Sequence, residues 1–186
     1  MSNITMIAPR LDRNAKKVIF PQYLYETVHN WANSTQDAVE QMGVLYAHKT
    51  KHGYLVFLAK HKATGNPNPV SLPSNELEKI VNALQLVNIN QDNECQAILM
   101  HSHPSAYETL TEGDAHSILR IAKYAAKGST KLDKHIIWPH NKKPRAYELK
   151  KGAIVEIPLQ ARLISEDQIN SDLTISCRKA QLQIAG

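Results

Sequence analysis

Apolar and polar positions alternate along the chain in short blocks. "KKVIFP" reads as a strand stopped by Pro21, and the next stretch places Leu24, Val28 and Trp31 or Ala32 on one helical face. Past the polar "NSTQD", the runs "GVLYA" and "GYLVFLAK" are rich in β-branched and aromatic residues. Parted by "HKTKH", they predict the two strands of a hairpin. "HKATGNPNPVSLPSN", with three prolines and a glycine, predicts a loop. Ser74 or Asn75 then caps a helix that keeps Leu77, Ile80, Val81 and Leu84 at helical spacing.

After a second loop, "NINQDNE", the strand "CQAILMHSH" is stopped by Pro104. Residues 112–126 predict a helix with Ala115, Ile118, Leu119, Ala122 and Ala125 facing inward. "HIIW" and "AYEL" read as strands about the turn "PHNKKPR". "GAIVEIPL" adds an edge strand, open to pairing with a partner near Ile154 to Leu159, and "SEDQINSDLTISCRKAQ" a final helix. No repeat interrupts this pattern, so the outline is one α/β domain: a sheet, about three helices and a C-terminal extension.

Composition changes little. With 42% apolar and 21% charged residues, the 186-residue chain is too apolar to be wholly disordered. The net charge of +5 is scattered over "KHKATGNPNP", "KGSTKLDKH" and "NKKPR", without the long basic run of a nucleic-acid arm, so no nucleic-acid partner is expected. Cys95 and Cys177 are too few for a disulfide framework. No apolar run approaches the roughly 20 residues that span a bilayer. A cytoplasmic protein without a membrane partner is the expectation.

The chemistry gathers in "HSHPSAYETLTEGD". Residues two apart on a strand share a face, so His101 and His103 can address one ion, and Asp114 can supply a third donor from the first turn of the next helix. Two nitrogens and a carboxylate leave a fourth position for water, as in a catalytic zinc site. The competing reading is two surface histidines beside a capping box, Thr111 with Asp114 three residues on. A Cys95–His101 dyad is excluded, because six residues of strand separate the two by about 20 Å.

His101-Ser102-His103-Pro104, six residues, then Thr111-Glu112-Gly113-Asp114 resembles the JAMM signature of MPN-domain zinc metalloproteases, HxHP followed by six residues and SxxD. Glu40, with Gly43 three residues on and an apolar strand after it, resembles that family's other landmark, a Glu at the end of the first helix. The resemblance covers about residues 17–150, with 1–16 as an N-terminal segment and 151–186 as the C-terminal extension.

The resemblance implies an MPN (JAB/cytidine-deaminase-like) fold with a mixed central sheet. It also implies one Zn2+ on His101, His103 and Asp114, with Glu40 as general base. The activity implied is hydrolysis of an amide or isopeptide bond, with a ubiquitin-like or Gly-tailed protein as substrate. Thr111 stands where the family has Ser; either hydroxyl can donate to an oxyanion. Loops 63–73 and 104–110 would shape the groove, with Tyr107 as a substrate contact. His116 alone does not make the second zinc site of some relatives, so His116, His135 and His140 are expected to be solvated or hydrogen-bonded. Other roles open to such a chain are a non-catalytic MPN scaffold and a RadC-like protein linked to DNA transactions.

Overall fold

Nine consecutive buried residues, Cys95–His103, form the strand on which the sheet is built. The computed structural model describes residues 9–34, 39–64, 74–88, 94–128, 130–173, 177–178 and 181–182. In chain order the elements are β1 (Lys17–Pro21), α1 (Gln22–Ala32), β2 (Gln41–Lys49), β3 (Gly53–Thr64), α2 (Ser74–Asn88), β4 (Cys95–His103), α3 (Glu112–Lys127), β5 (Lys134–Pro139), β6 (Arg145–Lys150), β7 (Ala153–Ile157), β8 (Leu159–Arg162) and α4 (Glu166–Asp172). One sheet holds all eight strands in the order β7-β6-β5-β4-β2-β3-β1-β8. It is mixed: β4 runs antiparallel to β2 but parallel to β5, and β1 runs parallel to both β3 and β8.

The first and last strands of that order, β7 and β8, are separated in sequence by Pro158 alone. Consecutive Cα atoms lie about 3.8 Å apart, so the two edges must meet at this proline and the sheet curls nearly shut. The Val18 N–H donates to the Pro158 carbonyl at 2.8 Å and fixes the corner. The outer side of β7 is also occupied. Asp12 N donates to Glu156 O at 2.8 Å and Glu156 N to Arg10 O at 3.2 Å, so the edge expected to be open near Ile154 is covered by the chain's own N-terminal segment.

Alternation along β4 sorts its side chains between two cores. Ala97 and Leu99 pack with Val44 and Tyr46 against Ile80, Val81 and Leu84 of α2 and Ile121 and Ala125 of α3. Ile98 and Met100 pack with Leu45 and Ala47 against Leu24, Val28 and Ala32 of α1. Continuing the period of two sends His101 and His103 to the α3 side and Ser102 to the α1 side.

The helices α1, α2 and α3 are the three expected in the domain, and α4 falls where the final helix of the extension was expected. Several other elements differ from the sequence pattern. β3 continues through His61–Thr64, expected as loop, because these residues pair with Gln41, Met42 and Gly43. The inward face of α3 is rotated: Ile121 is buried while Leu119 and Ala122 are only half-buried. β8 was not anticipated. The final helix is interrupted: α4 ends at Asp172, Leu173 turns extended (φ −71°, ψ 131°), and Cys177, Arg178, Gln181 and Leu182 are helical again. Residues past 151 nevertheless add two strands to the sheet and Ile169, Leu173 and Cys177 to a core that includes Cys95. The predicted loops lie mostly outside the described residues, at 65–73 and 89–93. No described helix is long and apolar enough to cross a membrane.

Gly53 opens β3 directly beside β1, where a Cβ would stand 2.2 Å from the Lys17 carbonyl oxygen. Two backbones that close cannot both stay in place. Gly53→Ala is expected to cost about 1–3 kcal/mol in urea unfolding, whereas Gly152→Ala, which meets nothing within 4 Å, loses only what its positive φ imposes.

Candidate metal centre

β4 ends where β5 still runs beside it, so its last residues stay inside the sheet while Pro104 turns the chain out. His101 and His103 are thereby held almost fully buried, at 5% and 3% exposure. The surface-histidine reading is thus set aside. After the loop, Thr111 caps α3: its Oγ1 accepts from Asp114 N at 3.3 Å, and Asp114 Oδ2 accepts from Thr111 N at 2.7 Å. The capping box exists, and it aims Asp114 at the two imidazoles.

His101 Nε2 lies 3.1 Å from Asp114 Oδ1, His103 Nε2 lies 3.2 Å from Oδ2, and the two Nε2 atoms are 2.8 Å apart. Donors on one tetrahedral zinc at ~2.0–2.1 Å sit about 3.3 Å from each other. The His101 Nε2–Oδ1 separation comes close to this, the Nε2–Nε2 separation needs to open by about half an ångström, and His103 meets the other carboxylate oxygen, Oδ2. The three residues could hold a metal ion, their donor atoms all lying within 4.8 Å of one another. The donor set of two imidazoles and one carboxylate fits zinc with a free position.

The two carboxylate oxygens are not equivalent. Oδ2 takes the Thr111 N–H and also the Thr111 hydroxyl proton, at 2.6 Å, whereas the capping interactions leave Oδ1 turned toward His101. Burial pushes Asp114 toward protonation, but the imidazoles and Thr111 reverse this and hold its carboxyl far below the ordinary range. Burial likewise disfavours an imidazolium at His103. The hydrogen bond and charge of Asp114, together with the charge of Glu40, outweigh it and raise the His103 pKa.

The other ring nitrogens are engaged as well. His103 Nδ1 is 3.2 Å from the carbonyl oxygen of Tyr107, and His101 Nδ1 is 2.6 Å from His135 Nε2. His135 is enclosed, and burial, with the His101 charge beside it, drives its pKa well below the usual value. Tyr107 itself is bent back on Pro104 and exposes its ring. Lys142 ties the same loop down through Ser105 O at 2.9 Å and through Glu108.

Glu40 does not sit at the end of a helix. α1 stops at Ala32, and Glu40 immediately precedes β2, half-buried. Its neighbour Gln41 is pinned: its N–H donates to Ser102 Oγ at 2.7 Å, and its Oε1 accepts from Thr64 Oγ1 at 2.8 Å and lies 2.6 Å from His61 Nε2. Ser102, turned away from the donors, therefore fixes the start of β2, next to Glu40. His116 is exposed toward Glu112, and His140 donates its backbone N–H to His103 O at 2.8 Å.

Sequence reasoning missed the roles of His135, Ser102 and Gln41. A signal existed for Ser102, as the residue between two histidines at the end of a largely apolar strand. None existed for His135, whose place depends on the parallel register of β4 and β5.

No family model matches this chain, and no curated protein does. Among solved structures, a Desulfitobacterium hafniense protein is similar to it with a TM-score of 0.56 at 16% identity, over 81% of this chain and 96% of that one. A likeness of that kind speaks to the fold alone. A JAB1/MPN domain protein from Archaeoglobus fulgidus aligns at 17% identity over 79% of this chain and 98% of that chain, with a TM-score of 0.39.

Because Thr111 is a cap by geometry, its replacement reports on the cap. Thr111→Ala should lower stability by about 1 kcal/mol in chemical denaturation, and Thr111→Ser by no more than a few tenths. Equal losses for both would mean that the methyl group, and not the hydroxyl, matters.

Proposed function

We propose that the protein is a zinc-dependent hydrolase of amide or isopeptide bonds, built on an MPN-type domain. Its substrate on this reading is a ubiquitin-like or Gly-tailed protein modifier or its conjugate, in the cytoplasm. The observation that carries the reading is the convergence of His101, His103 and Asp114 from two elements, with the charge of Glu40 acting on the same His103 imidazole. A bound zinc supplies a water of lowered pKa and polarises the scissile carbonyl.

The chain's own groups supply the rest. Glu40 accepts the proton of the attacking water and returns it to the leaving amine, a two-way task suited to a carboxylate at the rim of a partly dry site. Asp114 stays ionised and so keeps its lone pairs for a cation. The Thr111 hydroxyl has a single proton, which lies on Asp114 Oδ2, so it can donate to an oxyanion only when that bond opens. The exposed Tyr107 ring stands beside His103, with ring centroids 6.4 Å apart, where an incoming chain would pass. A scaffold role alone would leave a complete, buried and oriented donor set without a use.

Purified protein should contain stoichiometric zinc and cleave isopeptide-linked or Gly-tailed modifier substrates. Chelation should abolish cleavage and added zinc restore it. Glu40→Gln should retain the metal and lose about 10²- to 10⁴-fold in turnover. Cleavage that survives both chelation and Glu40→Gln sinks the reading.

A further inference from the structure

A histidine that offers Nε2 to a metal must carry its ring hydrogen on Nδ1, and that hydrogen needs an acceptor when the ring is buried. For His103 the acceptor is a carbonyl, Tyr107 O. For His101 the group at its Nδ1 is another imidazole, His135 Nε2, at 2.6 Å. We propose that His135 is the positioning residue of the metal centre: it accepts the His101 Nδ1–H and so sets the tautomer and ring angle that present His101 Nε2 to zinc. The proposal rests on the metal-binding reading above.

Three observations support it. The residue is on β5, whose parallel pairing sets His135 opposite Leu99, so its side chain shares the sheet face of His101. It is 4% exposed, so water does not readily replace it as acceptor. Finally, one N···N contact between two imidazoles holds one hydrogen. Once His101 Nε2 donates its lone pair to a cation, that hydrogen belongs to His101 Nδ1, and the hydrogen of His135 is confined to its own Nδ1. The two rings meet nearly edge to face, 66° between planes, with His101 Nδ1 and His135 Nε2 in contact. Unlike a carbonyl, an imidazole serves as acceptor in one tautomer only. Loading the centre therefore sets the state of both rings.

Groups that orient a metal-bound histidine typically contribute about 10- to 100-fold to metal affinity. The test uses the full chain, stripped of metal and titrated with zinc against a chromophoric chelator. His135→Leu, which has no acceptor, should bind zinc about 10- to 100-fold more weakly than wild type. His135→Gln, whose amide oxygen can take the His101 hydrogen, should stay within about threefold. Urea unfolding of the metal-free proteins separates this from a packing role, which would lower the stability of both variants and leave zinc affinity alike.

If His135→Leu does not fold, ¹⁵N NMR of the zinc-loaded wild type decides: His101 Nδ1 should be protonated and His135 Nε2 bare. Zinc affinity unchanged in His135→Leu, or a bare His101 Nδ1, overturns the inference and leaves the metal centre intact. Failure of the wild type to bind zinc overturns both.

Discussion

The burial of β4 along its whole length is the constraint on which the rest of the structure depends. Strands flank it on both sides and helices cover both faces, yet it ends in three polar residues, His101, Ser102 and His103, at 5%, 2% and 3% exposure. A buried polar group left without a partner costs about 1–3 kcal/mol. Each of these residues therefore dictates a neighbour. Ser102 takes the Gln41 N–H on one face, and on the other His101 and His103 require Asp114, His135 and the Tyr107 carbonyl. The partners come from β2, α3, β5 and the loop after β4, so satisfying one strand end gathers four separate segments around it.

Asp114 links folding to the proposed chemistry. Oδ2 completes the capping box, and Oδ1 is turned toward His101. Capping-box geometry and metal-ligand geometry were alternatives while only the sequence was read, since each explains an acidic residue three positions after a threonine. In three dimensions they reinforce each other, because the cap removes the freedom of the carboxylate before any cation arrives. A ligand fixed in this way loses less entropy on binding than a surface aspartate would.

Local patterns were legible and long-range registers were not. The HxH pair on a strand end and the aspartate at a helix start could be read because both follow from spacing within one element. β4 itself matched its apolar run residue for residue. His135 was invisible as a partner, since nothing in "HIIW" says that β5 lies parallel to β4 with His135 beside Leu99. β8 hid for a related reason: a four-residue strand, LQAR, has no pattern of its own and exists because β1 needs a neighbour where the sheet closes. The loop signals of "HKATGNPNP" likewise misplaced the end of β3, whose residues His61–Thr64 are held by pairing and by Gln41 instead of by propensity.

Closure of the sheet bears on how an extended substrate could reach the centre. A peptide that adds to a sheet needs an edge, and β7 has lost its edge to Arg10–Asp12 while meeting β8 through Pro158. β1 pairs with β3 only over Gly53–Leu55, and β3 runs on to Thr64, opposite Gln41 and next to Glu40. On the proposed function, the far end of β3 is thus the part of the sheet that leads to the donors, and the pinning of Gln41 by Thr64 and His61 joins it to the residue that moves the proton. A substrate tail lying along this stretch would press on the hydrogen bonds that hold Gln41, the residue next to Glu40. Binding and chemistry would then be coupled through Gln41, with no need for a separate moving element.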